Sequence, residues 1–120
     1  MPSNQFTRVE KLVGDCEDWQ SVTFENSWVN FNSATHETAQ YYKDPFNVVH
    51  IKGFVKSGTV DATIFTLPEG YRPALKENFA VIDGTANAVR LEVDSAGTVK
   101  TLTAGAGSTA YQSLNVSFRV

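Results

Sequence analysis

Short apolar runs with an alternating pattern recur from about residue 48 to the C-terminus, and turn residues separate them at roughly ten-residue spacing. In the run VVHIKGFVK, Val49, Ile51 and Val55 alternate with His50, Lys52 and Lys56. The run 60–64 repeats this alternation after the segment KSGT. We therefore predict a β-hairpin, with Gly58 in the positive-φ conformation that a tight turn requires.

Four further runs predict the remaining strands. NFAVID, ANAVRLEV and TVKTLT are separated by GT and DSAG, in which Asp94 is expected to accept backbone hydrogen bonds and Gly97 to adopt a left-handed conformation. The last run, SLNVSFRV, places Leu114, Val116, Phe118 and Val120 on one face. We expect this closing segment to be a core strand rather than a tail.

No apolar residues recur at helical spacing over ten or more positions after residue 18, which predicts an all-β fold, an antiparallel β-sandwich of jelly-roll type over residues 19–120. The first 18 residues differ, because Phe6, Val9, Val13 and Cys16 follow heptad spacing. A helix this short needs partners to persist. Residues 1–18 are therefore expected to form a neck or attachment segment, either helical or extended.

Composition excludes several classes of function. The 120 residues carry a net charge of −3 without a basic stripe, which argues against nucleic-acid binding. No apolar run approaches the roughly 20 residues that cross a bilayer, and the N-terminus lacks the apolar centre of a signal peptide. We expect a protein made in the cytoplasm that does not insert into membranes. Cys16 is the single cysteine, and a buried residue, a pairing site at an interface and an inert exposed thiol are all open.

The segment IFTLPEGYRP sets an apolar run against a cluster of proline, glycine and charged residues. We interpret it as a structural corner, because Pro68 favours a β-turn, Gly70 tolerates the conformation that follows, and Pro73 prevents ladder pairing. Glu69 is then solvated and has no catalytic role. No catalytic motif, cofactor motif or metal-ligand spacing is present, and His36 and His50 are expected to be surface residues.

Aromatic and amide side chains are the candidate binding chemistry. The segment NSWVNFNS combines flat apolar rings with amides, which suits stacking on sugars and hydrogen bonding to their hydroxyls. The alternative is that Trp28 fills the core or an interface. The glycine-rich stretch 104–110 is a further candidate if it lies at a tip. The candidate residues for a glycan or receptor are Trp28, Asn30, Asn32, Tyr41, Tyr42, Tyr71 and Tyr111.

The run 41–73, YYKDPFNVVHIKGFVKSGTVDATIFTLPEGYRP, resembles a stretch that recurs near the C-terminus of bacteriophage tail-fibre, head-fibre and related minor structural proteins. The later VRLEVDSAGTV and LNVSFRV resemble closing strands of the same family, so the resemblance extends over roughly residues 28–120. It implies a β-sandwich that assembles as a homotrimer on a virion, in contact with other phage proteins, and it implies no catalytic residues.

Three classes of function follow. The first is a non-enzymatic virion fibre or decoration module that presents a surface to host cell-wall glycans or surface proteins. The second is a purely structural adaptor or trimerisation cap, and the third is a small glycan-active enzyme or a cellular lectin. A trimer would shelter apolar positions of the neck and aromatic residues that fall off the alternation and are exposed in a monomer. The candidate interface residues are Phe6, Val9, Val13, Cys16, Phe46 and Phe54.

Overall fold

The computed structural model describes residues 16–102 and 111–120, and every regular element among them is a β-strand. The strands are β1 (Gln20–Ser21), β2 (Val29–Asn30), β3 (Gln40–Lys43), β4 (Val48–Lys52), β5 (Phe54–Lys56), β6 (Phe65–Thr66), β7 (Glu77–Ile82), β8 (Ala88–Val93), β9 (Thr98–Leu102), β10 (Gln112–Ser113) and β11 (Val116–Arg119).

The strands form three antiparallel sheets in two layers. One sheet has the order β1-β3-β4-β11 and a second has the order β10-β5-β2. These two continue into each other at Gly53, whose N–H donates to Asn115 Oδ1 (3.1 Å) and whose carbonyl accepts Leu114 N–H (2.9 Å). The third sheet, β6-β9-β8-β7, is the opposite layer. The predicted all-β fold is confirmed, and the layers are compatible with the predicted sandwich.

The hydrophobic core lies between the layers. Tyr41 of β3 stacks on Phe65 of β6, with ring centroids 6.3 Å apart, and Phe118 of β11 packs on Phe79 of β7 at the same distance. The predicted inward faces of β4, β5 and β8 are buried, as alternation requires. The fully buried apolar residues of the two layers and their connections include Val49, Val55, Ile64, Leu67, Leu91, Val93, Val99 and Leu114.

The hairpin predicted around KSGT is wrong. β5 pairs with β2 and β10, whereas the run 60–64 leaves this layer, and Ile64 N–H donates to Val99 O (2.7 Å) in the opposite one. Ser57 has the positive φ (67°), and Gly58 is not among the positive-φ residues. Gly58 is instead required for packing, since a Cβ there would lie 2.0 Å from the Trp28 ring. Alternation identified the buried Ile64, but Val60 of the same run is 39% exposed, and the strand partner was not predicted.

The turn between β8 and β9 is confirmed in detail. Asp94 Oδ1 accepts the N–H groups of Ala96 and Thr98, both at 3.0 Å, and Gly97 has a φ of 85°. Burial acts to raise the pKa of Asp94, but the hydrogen bonds from Thr98 and Ala96 outweigh it and the pKa is lowered. The carboxylate therefore stabilises the turn as an anion.

A second aspartate closes the turn between β7 and β8. Asp83 is 1% exposed, and its Oδ1 accepts the N–H groups of Asn87 (3.0 Å) and Thr85 (2.9 Å) together with the Thr85 hydroxyl. The hydrogen bonds, that from the Asn87 N–H first, lower the pKa of Asp83. Asp83 also forms an isolated bridge with Gln112, which joins the two layers at this edge.

The closing strand is integral, as predicted. Phe118 is 5% exposed, and β11 pairs with β4 over four residue pairs, Phe118 opposite Val49 among them. The alternation does not extend to the terminal residue, because β11 ends at Arg119 and Val120 is 37% exposed. Val116 is half-buried against the core.

The segment LPEGYRP is a corner in the structure. Tyr71 N–H donates to Pro68 O (3.2 Å), Gly70 has a φ of 88°, and Arg72 Nε donates to Leu67 O (2.8 Å). Glu69 is exposed. The turn chemistry of proline and glycine accounts for this geometry.

Most of the predicted neck lies outside the described residues, and Phe6, Val9 and Val13 are among the positions concerned. Cys16 is described and has an exposed thiol. The boundary at residue 18 stays a prediction. No helix long and apolar enough to cross a membrane occurs in the part of the chain that the structure describes.

Candidate functional site

The outward face of the β4–β5 layer carries the chemistry. Val49, Ile51 and Val55 point into the core, so the intervening side chains point away from it. Gly53 lies between the two strands and is itself buried at an odd-numbered position. The alternation of inward odd-numbered and outward even-numbered residues therefore continues from β4 into β5. The outward residues form one line along β4 and β5: His50, Lys52, Phe54 and Lys56.

Four rings meet at the β5 end of this line, in a group called here the four-ring cluster (Phe31, His36, Phe54 and Tyr111). His36 contacts all three partners, with centroids 4.8 Å from Phe31, 5.0 Å from Phe54 and 5.3 Å from Tyr111. Tyr111 lies 5.1 Å from Phe31 and 4.9 Å from Phe54. Lys56 Nζ lies 5.7 Å from the Phe31 centroid. All four rings are only half-buried, so the cluster is an aromatic surface rather than core.

A second aromatic group, called here the Trp19 group (Trp19, Tyr42 and His50), lies at the β4 end. Tyr42 and His50 are cross-strand partners and stack with centroids 4.9 Å apart at 18°. Trp19 meets Tyr42 edge to face at 4.5 Å and is 38% exposed. His50 Nε2 lies 2.9 Å from Asp44 Oδ2. This hydrogen bond is the main cause that lowers the pKa of Asp44.

A polar bridge connects the two groups. Lys52 Nζ lies 4.4 Å from the Trp19 centroid and 3.1 Å from Glu37 Oε2. Glu37 follows His36 in the chain, and its carbonyl accepts the N–H of Phe54 (3.1 Å). The Trp19 group, the Glu37–Lys52 pair and the four-ring cluster therefore form one continuous surface, which we call the outer aromatic face.

Tyr42 and Tyr111 are the two sequence-predicted site residues on the outer aromatic face. Trp28 is 4% exposed and Tyr41 is 8% exposed, so neither offers a ring face to a ligand in this conformation. The position of Trp28 therefore agrees with the alternative interpretation, in which its ring fills the core. Tyr71 anchors the corner, since its hydroxyl donates to Glu17 Oε1 (2.7 Å), and this bond is the main cause that raises its pKa.

The two predicted amides bond to the backbone. Asn30 Oδ1 accepts Ala39 N–H (2.8 Å), and Asn32 Oδ1 accepts Ala34 N–H (3.0 Å). Asn32 is exposed, whereas Asn30 is half-buried. Each of these side-chain oxygens therefore already accepts a hydrogen bond from the backbone. The seven predicted binding residues as a whole do not lie together at one site.

Trp19, His36 and Phe54 are contributors to the face that were not among the predicted binding residues. Phe54, a candidate residue of the trimer interface, is half-buried within the four-ring cluster, and its place at an interface stays a prediction. The even-numbered positions from His50 to Lys56 carried a usable signal, because the odd-numbered positions between them are Ile51, Gly53 and Val55. Phe46, the other predicted interface aromatic, is 62% exposed.

The arrangement suits non-covalent recognition by stacking and hydrogen bonding. Aromatic faces bind apolar faces of a ligand, and the neighbouring lysine, carboxylate and imidazole groups bind its polar atoms. Among residues 16–102 and 111–120, no three His, Cys, Asp or Glu side chains are grouped so as to hold a metal ion. The candidate loop 104–110 lies outside the described residues.

No known family model matches the chain, and no curated protein sequence matches it. Among solved structures, the chain is similar to the receptor binding protein (gp15) of Listeria phage PSA. The similarity has a TM-score of 0.66 at 14% sequence identity and covers 98% of this chain and 74% of that one. The chain therefore shares its fold with that protein.

Proposed function

We propose that this chain is a receptor-binding module of a phage virion and attaches the particle to its host cell. The observation that carries the proposal is the shared fold with the Listeria phage PSA receptor binding protein over 98% of the chain. The resemblance of residues 41–73 to fibre-type virion proteins supports the same class from sequence. The module acts at the surface of a virion, on its tail or its capsid, in contact with other phage proteins.

The outer aromatic face is the proposed attachment surface, and a host cell-surface glycan is the proposed ligand. Half-buried rings in two groups, together with Lys52, Lys56 and Glu37, combine apolar faces with hydrogen-bonding groups. Sugars offer the matching pattern of apolar ring faces and hydroxyls. Binding without chemistry is sufficient for attachment, so we propose a non-enzymatic protein without a cofactor.

We propose in addition that the module is a homotrimer. Phe46 is 62% exposed and Ile82 is 50% exposed, and each would be sheltered by neighbouring copies. Light scattering at micromolar concentration should give about three times the chain mass of 13.2 kDa. Val9 and Val13 belong to the proposed neck, so changing both to Asp should lower that mass. A mass of one chain in the unmodified protein contradicts the trimer.

A structural adaptor or trimerisation cap is the second candidate. The exposed apolar side chains favour it, because Leu75 (80% exposed) and Val29 (44% exposed) also suit contacts with other virion proteins. An adaptor needs no cell-binding surface. The two candidates therefore differ in whether the isolated protein binds host cells.

Whole-cell binding tests the proposal. Fluorescently labelled protein should stain some strains in a panel of bacteria, and unlabelled protein should compete for the staining. Phe31→Leu removes a ring of the four-ring cluster but keeps an apolar side chain, and it should weaken staining at least tenfold. Leu75→Ala, on an exposed residue that belongs to neither aromatic group, is the matched control and should stain as the unmodified protein does. If no strain is stained, the adaptor is favoured.

A further inference from the structure

His50 of the Trp19 group and Phe54 of the four-ring cluster lie at different positions along β4 and β5, on either side of Lys52. Positions 50 and 54 belong to the Trp19 group and the four-ring cluster, and four residues of strand span about 13 Å. The interval between them is occupied by the Glu37–Lys52 pair. We infer that the outer aromatic face holds one extended, uncharged glycan chain, with separate sugar units on the Trp19 group and on the four-ring cluster. This inference rests on the proposed function.

Each aromatic group has an accessible surface of its own. Trp19 is 38% exposed although Lys52 and Tyr42 contact its ring. In the four-ring cluster, the rings meet at 46° to 87°, so they present edges and faces in several directions rather than one flat stack. Two separate stacking surfaces of this kind define two subsites.

The charge of the face favours an uncharged ligand. Lys52 and Lys56 contribute two positive charges to the contacts of this face, and Glu37 and Asp44 contribute two negative charges, so the formal charges of these four groups cancel. Glu37 is 64% exposed, and its carboxylate lies in the middle of the path between the subsites. A polyanion would be repelled by this carboxylate, whereas the hydroxyls of a neutral sugar chain would donate hydrogen bonds to it.

The order of apolar and polar groups also distinguishes a glycan from a protein partner. Protein interfaces bury an apolar centre and surround it with a polar rim. The outer aromatic face has the opposite order, because the Glu37–Lys52 pair, with its exposed Glu37 carboxylate, is central and the rings lie at both ends. A chain of sugars presents apolar ring faces separated by hydroxyl groups, which matches this order.

Affinity as a function of ligand length tests the inference. The probe is the polysaccharide released from a strain that the labelled protein stains, partly hydrolysed and separated by length. Occupying the second subsite on the same chain raises the effective concentration, so the longest fragments should bind about 10- to 100-fold more tightly than the shortest. Trp19→Ala and Tyr111→Ala should each reduce the affinity for long fragments to that for short ones. Each should leave short-fragment binding within about twofold, because the other subsite remains.

Controls separate binding from folding. Circular dichroism should show unchanged strand content in each variant, and Phe31→Leu replaces Tyr111→Ala if the latter does not fold. Trp19→Phe keeps an aromatic ring and should recover most of the length dependence. Leu75→Ala should retain the full dependence of affinity on fragment length.

Three results would overturn the inference while the proposed function stands. The first is affinity that does not depend on length. The second is loss of all binding from one group with no effect from the other, which indicates a single subsite. The third is tighter binding of fragments that carry more negative charge, with loss of affinity at high salt. Failure to stain any strain would instead reject the proposed function, and the inference with it.

Discussion

Gly53→Ala is expected to be strongly destabilising, because Gly53 joins the two sheets that carry the outer aromatic face. Its φ is 128°, where a residue with a Cβ is strained by about 1–3 kcal/mol. A Cβ would also lie 2.5 Å from Ala39 Cα and 2.8 Å from Thr38 C. Both obstacles are backbone atoms that cannot rotate away, so overpacking adds about 1–3 kcal/mol. The expected total is about 2–6 kcal/mol.

Gly70→Ala is the matched control for this prediction. Gly70 also has a positive φ, 88°, but the nearest atom to its Cβ would be Lys43 Nζ at 3.9 Å. We therefore expect only the conformational strain of about 1–3 kcal/mol. Urea denaturation followed by circular dichroism measures both free energies of unfolding. If Gly53→Ala and Gly70→Ala lost equal free energies of unfolding, the close contact of Gly53 with Ala39 and Thr38 would be refuted.

Three further predictions concern the core, the corner and acid stability. Phe118→Ala should cost about 3–5 kcal/mol in urea denaturation, whereas Val120→Ala should cost less than about 1 kcal/mol; an unchanged melting curve for Phe118→Ala would show that β11 buries its other face. Glu69→Gln should leave stability within about 0.5 kcal/mol and cell staining unaltered, and a large loss of staining would make Glu69 functional. Hydrogen bonds lower the pKa values of Asp44 and Asp83, so both carboxylates stabilise the fold above the unfolded value of about 3.9. The melting temperature should fall as the pH drops below about 4 through the lower folded values, and less steeply in Asp83→Asn. A melting temperature that is constant from pH 5 to pH 2 would contradict this.

Much of the fold could be predicted from the sequence because alternation reports directly on burial. Val49, Ile51, Val55 and Phe118 were assigned to inward faces, and all of them are buried. The turn at Gly97 was recognised from its composition, since few residues other than glycine adopt its φ of 85°. Each of these features depends on residues that are close together in the sequence.

Strand partners could not be predicted in the same way. The run after KSGT has the alternation of a hairpin strand, yet it crosses to the opposite layer because Ile64 pairs with Val99. Beside this run, the Trp28 ring occupies the space next to Gly58 and is 4% exposed. The contact between residues 28 and 58 is tertiary, and neither local pattern contains it.

The candidate site was only partly predictable for a similar reason. Tyr42 and Tyr111 were identified from their chemistry, but their neighbours are brought together by pairing between distant strands. Trp19 reaches Tyr42 because β1 lies beside β3, and Phe54 reaches Tyr111 because β5 lies beside β10. Aromatic composition therefore indicated the type of surface, and the topology determined which residues form it.

The most direct test of the central claim is to map the bound ligand on the protein by NMR. The polysaccharide released from a stained strain is titrated into isotope-labelled protein, and the shifts of backbone amide signals are followed. The expected result is that shifts concentrate in β4, β5 and residues 36–37, with side-chain shifts at Trp19 and Tyr111. The amides of β7 and β8 in the opposite layer should remain unaltered. Shifts confined to β7 and β8, or to the corner at 67–73, would contradict the assignment of host binding to the outer aromatic face.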